Sequence, residues 1–512
     1  MERTEDSSLI AKASNQSLVK SFSISGLYGY RNVSMESSHS ATILIARNGA
    51  GKTTLISALH AVLLGQFSRL QSLDFSEIRC GLSEIKAEIV IKRADLDAYL
   101  ELPADGDFSR QARRIEVDPA SLFRFVMEEY PWMEGDYKTL SSHPIHSALE
   151  RSVGYRSDEV KKICERLNDS SDFAGSTLHQ SLISIRKVTS SYDIVYLPTY
   201  RRVELPLSKE SKDAGPKGRR TTAVNRLSGS LLAGDVQFGL SDISEHLSEL
   251  NQRILLESNF GYRRISADII SELIAKDLND VASTEGIPQR EELNLFFSRL
   301  KDSSRRGPFI GDVSIPDIDQ TYETSTQKTG SGIFLRYFLS KLNTVIQATR
   351  DIEQRVQDFI FNCNRYLSSQ DMSTSLADER EITSSTSDDK VLRLNRRNLS
   401  VHAESLIGGR RISLDALSSG EKQMVSLFAK LYLYEKPKIV LIDEPEISLS
   451  LSWQRLILVD ILRAPLCRQI VAITHSPFVF DNILDPFAKA LNVSVDLSAL
   501  PQSDNDSIEE EQ

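Results

Sequence analysis

The chain of 512 residues has only four cysteines, and no two of them form a Cys-x-x-Cys pair. Cys80, Cys164, Cys363 and Cys467 stand alone, with no histidine at ligand spacing. That excludes a zinc module and a disulfide framework, and it suits a reducing cytoplasm. No run of about 18 apolar residues occurs, so no membrane-spanning helix is expected. The polar stretch Met1–Ser17 does not read as a signal peptide. A basic surplus is missing as well: 61 Lys and Arg face 71 Asp and Glu, for a formal net charge of −10. A surface that grips nucleic acid all over is therefore excluded, while a local basic face, and with it DNA binding, is left open. Internal repeats and sustained heptads are also absent, which argues against a long coiled coil. With 40% hydrophobic and 26% charged residues the composition is that of an ordinary globular protein.

What is present begins at Ala41-Thr42-Ile43-Leu44-Ile45, an apolar, β-branched run that reads as a buried strand. Behind it stand Ala46-Arg47-Asn48-Gly49-Ala50-Gly51-Lys52-Thr53-Thr54, and then a helix over 55–64. Strand, glycine-bearing turn and helix make a phosphate cradle, in which backbone N–H groups and the helix dipole face an anion. Asn48, Gly49, Ala50, Gly51, Lys52, Thr53 and Thr54 are the expected ATP-binding residues. Gly49 and Gly51 let the backbone approach the phosphates. Lys52 supplies a point charge, and the Thr53 hydroxyl an oxygen for Mg²⁺. The usual pattern opens on glycine; Ala46 stands there instead, which a strand end with negative φ tolerates.

The far end of the chain carries the complement. Lys438–Ile442 is an apolar strand ending in Asp443-Glu444-Pro445-Glu446, and Gln469–Ile473 is another, ending in Thr474-His475-Ser476-Pro477. An acid at the end of a buried strand beside a P-loop holds Mg²⁺ through its water shell, which assigns Asp443. Glu444 is then the general base for an attacking water, and His475 is placed to contact the γ-phosphate. Either motif alone reads as well as a charged strand cap or a helix N-cap. Their joint occurrence downstream of a P-loop favours the chemistry.

Between these blocks the pattern is mostly helical. The expected organisation is a disordered tail over 1–17, an N-terminal lobe of an ATPase head over 18–93, and a helical insertion over 94–367. A disordered linker follows over 368–390, then a C-terminal lobe over 391–492 and an acidic tail over 493–512. The first lobe includes a hairpin turning at Gly26–Tyr30 and a strand over Glu84–Lys92. Tyr28 and Tyr30 read first as packing residues, with stacking on adenine as the functional alternative. The insertion returns a strand at 193–197, and 207–224 is read as a mobile loop.

Leu417-Ser418-Ser419-Gly420-Glu421 resembles the signature motif of the ABC-type ATPases, with Ile439–Pro445 similar to their Walker B segment, Glu446–Ser450 to their D-loop and His475 to their switch histidine. The resemblance implies an α/β fold: a P-loop head with a mixed sheet, flanking helices and an antiparallel β layer, carrying a large helical insertion. It also implies that Ser418, Ser419, Gly420 and Glu421 act in trans, closing the site of a second copy in a head-to-head dimer or a higher homo-oligomer. The Q-loop glutamine has no clear counterpart, and the Thr199–Arg202 turn is its candidate region. Medium insertion length, no zinc hook and no room for a nuclease after His475 resemble the phage-defence ATPases of the overcoming-lysogenization-defect type. Tyr196–Arg202 and Thr474–Asn482 are similar to the ATPase subunits of the PARIS anti-phage systems. That implies a partner nuclease of Toprim type that cuts tRNA, held inactive and released when a phage anti-restriction protein is sensed. Two other readings are a DNA-associated clamp or repair ATPase of the RecF/SMC class, and the ATPase half of a Septu-like or retron-linked pair with an HNH nuclease.

Overall fold

The computed structural model describes residues 2–134, 137–170, 173, 175–198, 240–275, 286–304, 317–326, 329–368, 389–406, 408–447 and 449–496. The turn at 199–202, the loop at 207–224, residues 369–388 of the linker read over 368–390 and residues 497–512 of the tail read over 493–512 lie outside the described residues. Lys390 opens a strand and 493–495 belong to another, against the reading of those ends as linker and tail. The chain divides into two compact units, Met1–Gln237 with Lys436–Gln512, and Phe238–Glu435. Among the described residues, no helix is long and apolar enough to cross a membrane.

Strands β1 (Val19–Leu27), β2 (Arg31–Glu36), β3 (Ala41–Ile45), β4 (Glu77–Leu82), β5 (Ile89–Lys92) and β6 (Asp193–Leu197) come before the second unit. Strands β7 (Lys390–Asn395), β8 (Ser400–Ser405) and β9 (Arg411–Ile412) lie within it. After it come β10 (Lys438–Asp443), β11 (Cys467–Thr474), β12 (Ala488–Ala490) and β13 (Asn492–Val495).

The fold is α/β, and the parallel and antiparallel strands expected of it occupy separate sheets. In the first unit one sheet has the order β12-β3-β11-β10-β6 and the other β13-β2-β1-β4-β5. Every pair in the former is parallel and every pair in the latter antiparallel. A parallel strand covered on both faces needs a continuous apolar run rather than an alternating one. Strand β10 shows this directly: all six of its residues are buried. Parallel pairing also brings the C-terminal ends of β3, β11, β10 and β6 to one edge, the end of an open sheet where α/β proteins place their ligands.

The two sheets are joined by a buried side chain. Gln469, on β11, accepts hydrogen bonds from the backbone N–H groups of Leu18 and Val19, both at 2.9 Å. Its amide donates to Val19 O and to Ser37 Oγ, both at 3.0 Å.

Three expectations are corrected here. Glu2–Ala13, read as part of a disordered tail, forms a helix. Leu9 and Ala13 are buried, Ser40 Oγ donates to Ala13 O and Lys12 Nζ to Ala464 O. Tertiary anchors of this kind stabilise a short polar helix whose own sequence does not. Within Glu84–Lys92 only Ile89–Lys92 is a strand, and β4 pairs between it and β1. Strand β4 alternates, with Ile78, Cys80 and Leu82 buried and Glu77, Arg79 and Gly81 on the other face; a Cβ at Gly81 would run into Ser21 Oγ on β1. The signature segment, expected to share a lobe with Walker B, belongs to the second compact unit.

That second unit is built on helix Gly330–Leu367, capped at its start by Thr329 Oγ1 accepting from Gly332 N. Helices Leu240–Ala275, Arg290–Ser304 and Ile318–Thr326 belong to the same unit. Ile265, Ile269, Leu293, Phe296, Leu342 and Ile346 share one apolar core. Strands β7–β9 form a small antiparallel sheet, and Tyr366 of the long helix packs on Phe428 of helix Ser419–Leu433 at 5.2 Å.

Two predictions follow from the first unit, whose unfolding is reported by Trp132 and Trp453, the only tryptophans in the chain. Gln469→Leu removes the partner of the Leu18 and Val19 N–H groups and of Val19 O, and urea unfolding read by tryptophan fluorescence will show a loss of about 3 kcal/mol. Glu128 is buried at a π-turn, Phe125–Glu129, where burial pushes its carboxyl up to about 7 against the Ser68 N–H and Oγ–H it accepts. Between the ordinary value of 4.5 and about 7 the folded unit holds a proton that the unfolded chain has released. Stability therefore declines as pH rises across that window and levels off above it. Glu128→Gln will flatten this slope.

Candidate nucleotide site

Helix Lys52–Leu63 begins on Gly51, whose φ of 89° lies in the left-handed region, and Gly49 has φ 77°. A side chain at either position would be strained, which is why the turn needs glycine there. Ala46, in the place of the usual first glycine, donates its N–H to Thr474 O at 3.2 Å and continues the sheet pairing. Arg31, at the start of β2, donates to Gly49 O at 2.6 Å and lies 5.3 Å from the centre of the Tyr30 ring. The hairpin thus braces the turn from outside. Tyr30 also lines a cleft of about 390 Å³ together with Asn32, Asp74 and Asp496. Tyr28, the other aromatic considered for stacking, is half exposed and has φ 55°.

The predicted residues of the first unit converge. Thr53 Oγ1 donates to Asp443 Oδ2 at 2.5 Å. Lys52 Nζ lies 2.6 Å from Glu444 Oε1 and 3.1 Å from Asn48 Oδ1, with side chains 6% and 14% exposed for the Lys52–Glu444 pair. Glu444 has φ 51°. Left-handed backbone costs a residue with a Cβ about 1–2 kcal/mol, and such strain marks functional turns more often than ordinary ones. The turn aims the Glu444 carboxylate at Lys52 while Asp443, one residue earlier and fully buried, points at Thr53. Thr53 and Asp443 offer the hard oxygens that a divalent cation takes. Lys52, Asn48 and the N–H groups of the turn offer donors to a polyphosphate.

His475 follows the end of β11, with its ring 48% exposed. Its Nδ1 lies 3.6 Å from Glu444 Oε1 and 2.9 Å from Glu446 Oε1. Reading by motif assigned Glu446 only to the D-loop region; the structure makes it the partner of the histidine. A second set of contacts also escaped the sequence. Ser57 Oγ and Tyr196 OH share a hydrogen bond of 2.8 Å, tying the P-loop helix to β6. His60, one turn on, has its ring 4.8 Å from that of Tyr196 and its Nδ1 3.2 Å from Arg69 Nη1. Burial, and then the Arg69 charge, hold His60 well below its ordinary pKa, so it is a neutral packing residue. Hydroxyl and imidazole pairs of this kind carry no local sequence pattern.

The signature residues are placed differently. In the second unit Ser418 caps helix Ser419–Leu433: its Oγ accepts from Glu421 N at 3.3 Å, and Glu421 Oε2 accepts from Ser418 N at 2.6 Å. Lys390 of β7 neutralises Glu421 at 3.1 Å. Ser419 and Gly420 form the first turn of the helix. This reciprocal capping explains why glutamate suits position 421.

Residues 21–185 match a family model described as "AAA domain", and 266–481 match one described as "AAA domain, putative AbiEii toxin, Type IV TA system". The chain carries AAA-type ATPase domains. The first match contains the P-loop of this ATPase; the second contains its signature segment, Asp443, Glu444 and His475. A solved structure, the Smc head domain with an extended coiled coil bound to the C-terminal domain of ScpA from Pyrococcus furiosus, aligns at 13% identity. It covers 93% of this chain and 96% of that one, with a TM-score of 0.29. Among curated proteins no match is found.

The buried pair Lys52–Glu444 is open to direct measurement. Lys52→Met and Glu444→Gln will each destabilise the first unit, because each leaves the other partner's charge uncompensated. The double variant will lose less than the sum, with a coupling of about 1–3 kcal/mol in a double-mutant cycle by urea unfolding.

Proposed function

We propose that this ATPase binds and hydrolyses ATP as the sensor and scaffold subunit of an anti-phage defence system. The observation that carries the ATPase reading is the meeting of Lys52, Thr53, Asp443 and Glu444 at one sheet edge, with contacts of 2.5 and 2.6 Å. Lys52 and the N–H groups of Asn48–Thr54 hold the phosphates. Mg²⁺ fits the Thr53 and Asp443 oxygens and, when bound, neutralises charge on the β- and γ-phosphate oxygens. Among the described residues no group of three or more His, Cys, Asp and Glu forms a metal cage. Mg²⁺ requires none, since it takes one or two protein oxygens and completes its shell with phosphate and water.

Phosphate arriving at Lys52 displaces Glu444, whose carboxylate then accepts a proton from the attacking water. His475 reports the γ-phosphate. Ser418, Ser419, Gly420 and Glu421 of a second copy close the site in trans, so the working unit is a homo-oligomer. The defence role draws on the motif resemblance to the PARIS ATPases and on the toxin–antitoxin wording attached to the family model that 266–481 match. A net charge of −10 suits protein partners better than DNA. The partner is a separate nuclease of Toprim type directed at tRNA, held inactive until a phage anti-restriction protein is sensed.

The tests separate these layers. Lys52→Ala will lose ATP binding in an equilibrium titration, and normal binding would sink the cradle reading. Glu444→Gln will keep binding and lose hydrolysis by about 100-fold or more; turnover at the wild-type rate would remove Glu444 as the base. Purification of the tagged chain with its genomic neighbours and ATP will bring down a nuclease subunit. A particle that holds DNA and no nuclease would overturn the sensor role.

A further inference from the structure

Glu446 has no task in the reading above, yet its carboxylate meets three groups of β11 and the turn after it. Its side chain is 6% exposed. Oε2 accepts from Thr474 Oγ1 at 2.8 Å, and Oε1 accepts from His475 N at 3.1 Å. Those two contacts clamp the end of β11 to the turn after β10, and a structural clamp needs nothing more. The third contact is different: Oε1 also lies 2.9 Å from His475 Nδ1. A carboxylate only accepts, so it suits a ring protonated at Nδ1, which leaves Nε2 as the nitrogen for a ligand. Glu444, the other carboxylate near the ring, is more distant at 3.6 Å and is held by Lys52 at 2.6 Å.

We infer that Glu446 is a positioning residue that orients His475 toward the terminal phosphate of the nucleotide and keeps its ring off the base, Glu444. The inference rests on the ATPase reading and adds a residue to it. A ring that points Nε2 at phosphate oxygens binds them by donating a proton from Nε2, which makes the imidazole cationic. The Glu446 charge compensates that cation on its far side, as buried carboxylates do behind histidines in other sites. The two roles divide cleanly. The clamp needs only acceptor and donor atoms, which an amide supplies; the orienting role needs the charge.

Glu446→Gln therefore separates them. The test uses the full chain as wild type, Glu446→Gln, His475→Ala and the double variant, with ATP and ADP affinities by equilibrium titration and hydrolysis with Mg²⁺. Glu446→Gln is expected to lower kcat by about 10–100-fold and to erode the preference for ATP over ADP, with ADP affinity held within about twofold. In the His475→Ala background it is expected to change neither quantity further, because it acts through the ring. Glu446→Asp, which keeps the charge but draws it back from the ring, will show the same loss of preference and serves if the glutamine variant fails to fold. An equal loss in the His475→Ala background, or ATP and ADP affinities falling together, would overturn the inference and leave Glu446 a clamp. So would a His475→Ala protein with unchanged turnover and preference. None of these results touches the cradle, whose own failure shows instead as nucleotide binding that survives Lys52→Ala.

Discussion

Parallel pairing of β3, β11 and β10 is the constraint from which the site follows. Strand β11 lies between the strand that leads into the P-loop and the strand that ends in Asp443, with Thr474 opposite Ile45 on one side and Ile473 opposite Asp443 on the other. Parallel register makes all three chains leave the sheet at one edge within a residue of each other. Antiparallel pairing of any one of them would carry its functional residues to the opposite edge. The apolar runs Ile439–Ile442 and Ile470–Ile473, buried at every position, hold the register.

Asp443, Glu444 and Glu446 show how little separates three carboxylates in sequence and how much separates them in space. Asp443 still belongs to the strand and faces Thr53. Glu444 takes the left-handed backbone of the turn and reaches Lys52. Glu446 folds back beneath His475. Each negative charge meets a donor or a cation, which buried charge requires. The Lys52–Glu444 pair has a further consequence. Lys52 and Glu444 are each other's partner at 2.6 Å, so the proposed phosphate binding is an exchange of partners.

The second unit uses the same economy on the signature segment. Ser418 and Glu421 satisfy one another's backbone N–H groups at the start of helix Ser419–Leu433, and Lys390 neutralises the glutamate. Such a cap is typically worth about 1 kcal/mol.

Sequence alone determined the ingredients that repeat at fixed spacing: the cradle Asn48–Thr54, Asp443 and Glu444 at the end of an apolar run, His475 after another, and strand β6 at Asp193–Leu197. Each is legible because backbone geometry ties residue type to local position, as glycine is tied to φ near +80° at Gly49 and Gly51. Tertiary structure alone decided the partners. That Glu446 takes His475, that Ser57 takes Tyr196 and that Gln469 bolts the two sheets together depends on segments up to 451 residues apart meeting in space. Tertiary contact likewise made a helix of Glu2–Ala13, whose polar sequence has too few apolar residues to announce it. Hydrogen bonds between distant segments leave no period in the sequence, whereas turns and buried strands do.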